Sequence, residues 1–458
     1  MNHEEISGIY EQAKAFFETN RTRSYAYRRS CLAALGESLR RHETELYQAL
    51  KEDLNKSEYE AYLTEVSLVH AEIRYLLKHL KRWMRPKRVP ASMGQLPSLV
   101  RIHPEPYGVC LIMSPWNYPV LLTLSPLAGA LAAGNVCLVK PSAYSPRTSS
   151  VMAAIIRESV PEGAAFTIEG GRAENQALLD LPFDYTFFTG NPVVGRLVME
   201  KAAKHLTPVT LELGGRSPVI VDESADIAKT AKRLTFGKLI NAGQTCIAPN
   251  HVFVHRSVAD AFVAALVKEF KETFSSDEHY QRDFPRIVNR KHYDRLMRLL
   301  EGQPVVAGGC GDEERLQIEP TVVLNPDRDA PVLGEELFGP ILPVLVYDDL
   351  EAVIREIKAA PKPLALYFFT KNKERARRVI DEVAFGGGCV NDCLLHIVSP
   401  YAPFGGVGNS GMGGYHGKDS FRTFSHFKTV LRKSWYFDIW LRYHPFTEKK
   451  RKLIRRLL

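Results

Sequence analysis

The 458-residue sequence predicts an α/β protein with a doubly wound parallel sheet, a second α/β domain and a small β element. From residue 107 onward, short apolar runs alternate with helical stretches, which is typical of parallel strands joined by helices. Residues 3–84 carry apolar side chains at helical spacing. Prolines and glycines between residues 86 and 97 then predict an irregular or hairpin excursion.

The predicted strands fall into two series. The first comprises residues 108–113, 135–139, 165–168, 185–188 and 209–213, and the second comprises 218–221, 251–254, 341–346, 364–369 and 388–391. These series predict four parts: a dinucleotide-binding domain at 1–84 and 104–211, a catalytic domain at 212–404, a bridging or oligomerisation element at 85–103 and 405–434, and a basic aromatic tail at 435–458.

Composition excludes several classes of protein. With 45% hydrophobic and 24% charged residues, the chain is typical of globular proteins. Its seven cysteines are odd in number and lack CxxC spacing, and no apolar leader precedes residue 10, which predicts the cytoplasm and no disulfide framework. No metal motif is present. Residues 428–458 hold ten Lys and Arg against two acids, so the +8 charge belongs to the tail and does not indicate nucleic-acid binding.

The stretch between Glu105 and Lys140 contains no charged residue and resembles a membrane span. Pro115, Pro119 and Pro126 interrupt it, however. We therefore predict a core helix between two buried strands at this position.

A thiol and a carboxylate predict covalent chemistry on a carbonyl. Cys246 lies in the small-residue run 243–249, and Glu212 opens the run Glu-Leu-Gly-Gly215. A thiolate adds to a carbonyl carbon, and a carboxylate activates the water that releases the product. Because a free thiol is mostly protonated at pH 7, the site is expected to lower the pKa of Cys246. The alternative is a buried structural cysteine.

Two glycine-rich segments have different interpretations. In residues 187–195 a strand runs into a helix, with Asn191 as N-cap and Pro192 at the first helical position. The unpaired amides of such a helix suit a pyrophosphate, although a capped helix without a ligand has the same pattern. The GxGxxG at 406–411 has no preceding strand, so we interpret it as a loop over the site.

Asn117 follows the first strand of the parallel sheet, in the run Pro-Trp-Asn-Tyr-Pro. The carboxyl ends of such strands are where ligands bind in this class of fold. An Asn amide there stabilises a developing oxyanion or, alternatively, caps a turn.

Together these motifs resemble the aldehyde dehydrogenase superfamily, and specifically its class 3 branch of fatty and aromatic aldehyde dehydrogenases. The resemblance covers residues 5 to 432. The motifs that carry it are Pro-Trp-Asn117-Tyr-Pro, Leu-Val-Lys140-Pro-Ser, Phe-Thr-Gly190-Asn-Pro-Val-Val-Gly195, Thr-Leu-Glu212-Leu-Gly-Gly, Gly-Gln-Thr-Cys246, Glu335-Glu336-Leu-Phe338-Gly-Pro and Pro-Phe404-Gly-Gly-Val-Gly-Asn-Ser-Gly.

The resemblance implies a role for each matching residue. Cys246 would be the nucleophile, Glu212 the base for deacylation, and Asn117 with the Cys246 N–H the oxyanion hole. The residues implied to bind NAD or NADP are Trp116, Lys140, Gly190, Asn191, Gly195, Glu336 and Phe338. The residues implied to line the aldehyde tunnel are Tyr62, Tyr118, Phe404 and His416, for which simple core packing is the alternative.

One position departs from the family pattern. Many members carry Glu three residues after the cofactor lysine, where it bonds the ribose 2′-hydroxyl and repels a 2′-phosphate. Here that position is Ala143, and Arg147 follows. Loss of the carboxylate removes a like-charge penalty, so NADP is expected to be accepted at least comparably with NAD.

The sequence thus predicts an NAD(P)-dependent enzyme that oxidises medium- to long-chain or aromatic aldehydes to acids, as a homodimer. A CoA-acylating dehydrogenase and a non-catalytic protein on the same fold are the alternatives. The tail places Leu453, Ile454, Leu457 and Leu458 on one face of a basic helix. This pattern fits peripheral contact with the inner membrane face, packing on the dimer partner, or a solvated tail.

Overall fold

The computed structural model describes residues 1–161, 163–274 and 276–457. As predicted, its N-terminal region is helical. The helices are α1 (His3–Glu18), α2 (Tyr25–Arg41), α3 (Glu43–Leu54), α4 (Glu58–Ala61) and α5 (Ser67–Trp83). A π-helical turn, Tyr62–Val66, joins α4 to α5. Such turns are rare and often lie at functional sites. Helix α5 buries a stripe that includes Val69, Ile73 and Leu76.

The predicted hairpin excursion is present. Strand β1 (Lys87–Val89) pairs antiparallel with β2 (Ser98–Pro106). The strand Ser425–Lys433, which the sequence analysis missed, pairs with the whole length of β2 and completes a three-stranded sheet. The two segments predicted to form a bridging element therefore lie side by side.

A six-stranded sheet follows, and its parallel strands match the first predicted series within one residue at each end. They are β3 (Val109–Met113), β4 (Val136–Lys140), β5 (Ala165–Thr167), β6 (Tyr185–Thr189) and β7 (Val209–Glu212), with the short strand Gly411–Met412 antiparallel at the edge of β7. The connecting helices are α6 (Pro119–Ala133), α7 (Pro146–Ser159), α8 (Arg172–Leu179) and α9 (Pro192–Ala203). Every residue of α6 is buried, which confirms the prediction of a core helix.

The strands that follow are β8 (Pro218–Val221), β9 (His251–His255), β10 (Val305–Ala307), β11 (Gly311–Asp312), β12 (Gln317–Ile318), β13 (Thr321–Leu324), β14 (Ile341–Tyr347), β15 (Ala365–Phe369) and β16 (Gly387–Val390). Seven of them form the second sheet, in the order β10-β13-β14-β9-β8-β15-β16, and β11 pairs with β12 in a separate two-stranded sheet. The second predicted series is confirmed. Strands β10 to β13 were not predicted.

Helices α10 (Ile227–Leu239), α11 (Ala259–Glu272), α12 (Asp277–Asp283), α13 (Arg290–Leu300), α14 (Pro331–Gly334), α15 (Leu350–Ala359) and α16 (Lys373–Glu382) accompany this sheet. The remaining elements are β17 (Gly411–Met412), α17 (Lys418–Thr423), β18 (Ser425–Lys433) and α18 (Glu448–Leu457). Among the residues described, no helix is long and apolar enough to cross a membrane. The predicted tail contact Leu458 lies outside the described residues.

Candidate active site

The loop that carries Cys246 is held in an unusual backbone conformation. Asn241 and Ala242 have φ values of 50° and 51°, and Gly243 has a φ of 74°. Left-handed backbone is costly for residues other than glycine, so it persists only where surrounding contacts impose it. One such contact is the hydrogen bond of 2.6 Å that the Asn241 backbone N–H donates to Glu60 Oε1.

The Gln244 side chain supplies further contacts below the same loop. Its Nε2 donates to the carbonyl oxygens of Asn241 (3.1 Å) and Arg286 (2.9 Å), and its Oε1 accepts from the Val288 backbone N–H (3.0 Å). Gln244 is fully buried, so this amide satisfies the polar backbone inside the loop. The thiol two residues later is therefore held on a rigid turn.

The Cys246 thiol is partly buried. Burial raises its pKa, and the nearby carboxyl groups of Glu336 and Glu212 raise it further. The expectation that the protein itself lowers this pKa is therefore wrong for the chain alone. The physical reason is that two acidic groups face the thiol in a water-poor site, where both disfavour a thiolate.

Asn117 lies directly above the cysteine loop. Its side-chain Nδ2 donates to the Gln244 carbonyl oxygen at 3.0 Å, and its own carbonyl oxygen accepts from Asn241 Nδ2 at 2.8 Å. The amide thus bridges two loops. Of the two interpretations of Asn117, the structure favours a residue aimed at the cysteine loop over one that caps its own turn.

A buried ion pair supports this arrangement from below. Lys56 Nζ lies 2.6 Å from Glu65 Oε1, with both side chains fully buried, and also donates to the Asn117 carbonyl oxygen at 3.2 Å. Glu65 Oε2 accepts from the backbone N–H groups of Val120 and Leu121, in the first turn of α6. The π-helical turn that contains Glu65 is therefore tied to the loop that contains Asn117.

Glu212 ends β7 and is buried. Neither of its carboxyl oxygens has a hydrogen-bond partner among the described residues, and burial raises its pKa well above the usual value. Gly411 pairs antiparallel with Glu212, and a Cβ at Gly411 would clash with the Leu211 carbonyl oxygen. The loop 406–411 thus folds over the site, as predicted.

The residues predicted to hold the adenosine and pyrophosphate groups lie at the carboxyl edge of the first sheet. Lys140 ends β4, and its Nζ donates to the carbonyl oxygens of Pro141 and Gly170, each at 2.7 Å; burial lowers its pKa to about 8. After β6 and Gly190, Asn191 caps α9 by accepting from Val194 N–H at 3.0 Å, which confirms the predicted cap.

Gly195 lies in the first turns of α9, against the sheet. A Cβ there would be 2.6 Å from Leu213, so the absence of a side chain lets the helix approach the strand end. This close packing keeps the N-terminus of α9 at the edge where the other predicted cofactor residues lie.

The residues predicted to hold the nicotinamide end come from the segment after α14. Glu336 is packed so closely on Gly214 that a Cβ at the glycine would clash with it. Its Oε1 is buried without a partner among the described residues, and burial raises its pKa to about 7. Phe338, with a φ of 50°, packs edge-on against Trp116 at 5.5 Å.

These features fit a dinucleotide. An orphaned buried carboxyl oxygen, a capped helix N-terminus and a glycine cradle are together suited to the hydroxyl and phosphate groups of such a cofactor.

Of the four predicted tunnel residues, Tyr118 contacts the cysteine loop, and Phe404 and His416 pack on each other. The Tyr118 hydroxyl shares a hydrogen bond of 2.6 Å with Thr245 Oγ1, next to Cys246. The Phe404 ring is 5.8 Å from the buried His416 ring. The structure does not bring Tyr62 into this buried group, because its side chain is 49% exposed on the π-helical turn.

Sequence reasoning missed two polar side chains of the site. Tyr415 is fully buried, its hydroxyl has no partner among the described residues, and the charges of Glu212 and Cys246 act on its pKa. His396 has an unpartnered, buried Nε2 and acts on the pKa of His416. Both lie in the Tyr-His-Gly and Leu-His-Ile runs that were used only for the resemblance.

Comparisons with known proteins agree with this geometry. The family model described as aldehyde dehydrogenase family matches residues 1–430. The chain is 44% identical over 431 residues to the 4,4′-diaponeurosporen-aldehyde dehydrogenase of Staphylococcus aureus, covering 94% of each protein. It is 41% identical to a dimeric, NADP-preferring aldehyde dehydrogenase of Canis lupus familiaris, covering 93% of this chain and 94% of that protein.

A solved structure of a Staphylococcus aureus AldH in a substrate-bound state superposes with a TM-score of 0.96 at 43% identity, covering 98% of this chain and 99% of that one.

Proposed function

Since the chain belongs to the aldehyde dehydrogenase family, we propose that it oxidises medium- to long-chain aliphatic or aromatic aldehydes to carboxylic acids, with Cys246 as nucleophile and Glu212 as base. The observation that carries this proposal is the unpartnered, buried carboxyl group of Glu212 beside a partly buried thiol. A buried polar group without a partner is costly unless a ligand or water forms the missing hydrogen bond.

In the first step, the cysteine loop supplies the nucleophile. The Cys246 thiolate adds to the aldehyde carbon and forms a thiohemiacetal whose oxygen carries developing negative charge. The Asn117 amide and the Cys246 backbone N–H stabilise that charge; in a comparable oxyanion hole, one donor lowers the barrier by roughly 2.7–4 kcal/mol. Bound NAD or NADP would accept the hydride that leaves the thiohemiacetal carbon as its oxygen forms a C=O bond, which gives the Cys246 thioester.

Deacylation falls to Glu212. Its carboxylate takes a proton from water, which then attacks the thioester carbon and releases the acid and the Cys246 thiol. Burial raises the pKa of Glu212, which makes its carboxylate a stronger base than an ordinary one and supports this role. The presence of this base favours hydrolysis of the thioester over transfer of the acyl group to coenzyme A.

The cofactor set we propose is Trp116, Lys140, Gly190, Asn191, Gly195, Glu336 and Phe338. Tyr118, Phe404 and His416 would line the aldehyde tunnel. The Ala143 position, which is exposed and bears no carboxylate, supports use of NADP at least comparably with NAD. Arg147 does not add to this support, because its guanidinium is already paired with Glu52 at 3.4 Å.

We propose the domain division given by the sequence and a homodimer formed through residues 85–103 and 405–434. The exposed apolar side chains of β18, including Phe427, Val430 and Leu431, support an interface there. Light scattering on the full chain tests it, and a monomer at micromolar concentration would contradict it.

The tail supports a peripheral contact with anionic lipid. Trp435 and Tyr436 are 99% and 100% exposed, and the basic helix α18 follows. Aromatic and basic groups together favour the surface of an anionic bilayer. Co-sedimentation with anionic liposomes should be lost when residues 435–458 are deleted; retention would favour packing on the dimer partner. The seven free cysteines support a cytoplasmic location.

The experiment for the activity is a panel of aldehydes from acetaldehyde to hexadecanal, plus benzaldehyde, with NAD and NADP in parallel. Formation of NAD(P)H and of the acid is expected, with a higher kcat/KM for medium- to long-chain or aromatic aldehydes than for acetaldehyde. Acyl-CoA formation on addition of coenzyme A would favour the acylating alternative. No NAD(P)H with any aldehyde would overturn the proposal. An NADP efficiency a hundredfold below that of NAD would overturn the cofactor part.

A further inference from the structure

A cavity of about 210 Å³ lies beside the second sheet, and neither Cys246 nor Glu212 is among its lining residues. It is bordered by the first residues of β8 and β9 and by the end of α15. We call it the Arg216 cavity, after one of the three basic side chains that line it; the other two are His251 and Arg328.

The polar side chains of the Arg216 cavity carry a net positive charge. Arg216 Nη1 donates to the Leu333 carbonyl oxygen at 2.6 Å, which holds the guanidinium in the wall. Arg328 bonds both carboxyl oxygens of Glu356 at 2.9 Å. His251 Nδ1 is buried without a hydrogen-bond partner among the described residues. Two arginines against one acid leave the cavity complementary to an anion.

The rest of the wall is apolar. Phe253, Leu345 and Ile357 line it with side chains that are otherwise buried in the core. A small concave site with apolar walls and a few converging polar groups is the usual form of a small-molecule site. The combination favours a ligand with one anionic group and an apolar body over a bare inorganic anion.

We propose that the Arg216 cavity binds a small amphiphilic monocarboxylate. The carboxylate accepts hydrogen bonds from the free nitrogens of Arg216 and from His251 Nδ1–H, while the alkyl part packs on Phe253 and Leu345. Resting on the proposed function, such a ligand belongs to the product class of the enzyme, so the cavity senses accumulated acid.

Arg216 connects this cavity to the active site. It lies two residues after Gly214, on which the Glu336 carboxyl group packs, and it donates to the carbonyl oxygen of Leu333, three residues before Glu336. A ligand that draws the guanidinium away from Leu333 shifts both segments that hold Glu336. Bound carboxylate should therefore weaken cofactor binding, and by reciprocity the cofactor should weaken carboxylate binding.

The test uses octanoate and the full-length chain without aldehyde, with binding measured by calorimetry. Arg328→Gln removes one cation and leaves Glu356 unpaired at the cavity, so octanoate should bind at least tenfold more weakly. The matched control is Arg355→Gln, on the helix α15 that carries Glu356; its exposed side chain pairs with Asp349 at 3.6 Å and does not line the cavity. Its affinity should equal that of wild type.

Crystals soaked with 8-bromooctanoate provide a second measurement that does not depend on a variant. An anomalous bromine peak between Phe253 and Leu345 supports the proposal, and a peak confined to the tunnel beside Cys246 overturns it. Equal octanoate binding by wild type and Arg328→Gln also overturns it. Because no aldehyde is present, an enzyme that failed to oxidise every aldehyde would overturn the proposed function and leave this result standing.

Discussion

Glu65 and Glu212, two buried glutamates near the cysteine loop, differ in whether the protein satisfies their carboxyl oxygens. Glu65 is paired with Lys56 and accepts from two backbone N–H groups, so its oxygens are satisfied by the protein. Glu212 is equally shielded from water, but neither of its oxygens has a partner among the described residues. Because an unmade buried hydrogen bond is costly, the first carboxylate belongs to the scaffold and the second is left for a ligand.

The same distinction separates the other polar side chains of the region. Glu72 is satisfied by Gly417 N–H and Ser420 Oγ, and it ties α5 to the loop after β17. Glu336, Tyr415 and His416 each have a buried polar atom without a partner among the residues described. These unsatisfied atoms are the ones that the proposed function assigns to substrate, water and cofactor.

The largest expected effect is that of Glu212→Gln. Loss of the base should lower steady-state turnover by about 10²–10⁴-fold, while one equivalent of NAD(P)H still forms in a rapid burst. Stability should not fall. The folded-state pKa of Glu212 is raised, so its ionisation destabilises the fold as pH increases above the ordinary carboxyl range, and Gln removes that penalty. Stopped-flow absorbance and thermal unfolding at pH 8 check both parts, and a variant with normal turnover would break the comparison.

The opposite result is expected for Glu65→Gln. It leaves the fully buried Lys56 without its counter-charge, which should lower the free energy of unfolding by about 3–5 kcal/mol. The matched control is Lys56→Met combined with Glu65→Gln, which should recover part of the loss because no uncompensated charge remains. Urea unfolding measures both, and equal stability of Glu65→Gln and wild type would show that this pair is not scaffold.

Two buried tyrosines test the same distinction between satisfied and unsatisfied polar groups, with smaller expected effects. The Tyr367 hydroxyl donates to the Ile247 carbonyl oxygen at 2.7 Å, whereas the Tyr415 hydroxyl has no partner among the described residues. Tyr367→Phe should cost about 1–3 kcal/mol of stability, because it leaves a buried carbonyl oxygen unsatisfied. Tyr415→Phe should leave stability unchanged and lower kcat several-fold. The reverse pattern in unfolding and kinetic assays would contradict this assignment.

The pH dependence of Cys246 alkylation tests the raised pKa of the thiol. Because burial and two carboxyl groups raise its pKa, alkylation of the cofactor-free protein by iodoacetamide should be slow at pH 7 and rise only at alkaline pH. The positive charge of oxidised NAD should lower that pKa and speed alkylation. Peptide mass spectrometry after timed quenching measures the rate, and fast labelling of the cofactor-free chain at pH 7 would contradict the expectation.

The last prediction concerns a carboxylate that is absent from the cofactor region. Ala143→Glu restores the family's acidic residue and should lower kcat/KM for NADP relative to NAD by at least about tenfold, which corresponds to about 1.4 kcal/mol. Tyr144→Glu, at the adjacent exposed position, is the control for added charge. Equal ratios for Ala143→Glu and wild type would show that position 143 does not face the 2′ position of the ribose.

Much of the fold follows from local pattern. The five parallel strands of the first sheet are apolar runs with turn residues at their ends, so their positions were predicted within one residue. Asn117, Lys140 and Glu212 were predicted as candidate site residues because they lie at or just after the ends of these strands. The Lys56–Glu65 pair could not be predicted. A charged residue in a helical segment is usually exposed, and only the packing of the π-helical turn under α6 buries both.

By itself the sequence determined where the strands of the two parallel sheets lie, because strand periodicity and turn residues are local properties, and the motifs at their ends carry the family resemblance from which the site residues are proposed. Tertiary structure alone decided which buried polar groups are satisfied, since hydrogen bonds such as those of Glu65 join residues more than fifty positions apart. It also decided that burial, together with the nearby Glu336 and Glu212, raises the pKa of Cys246, because both depend on distances that no sequence pattern records.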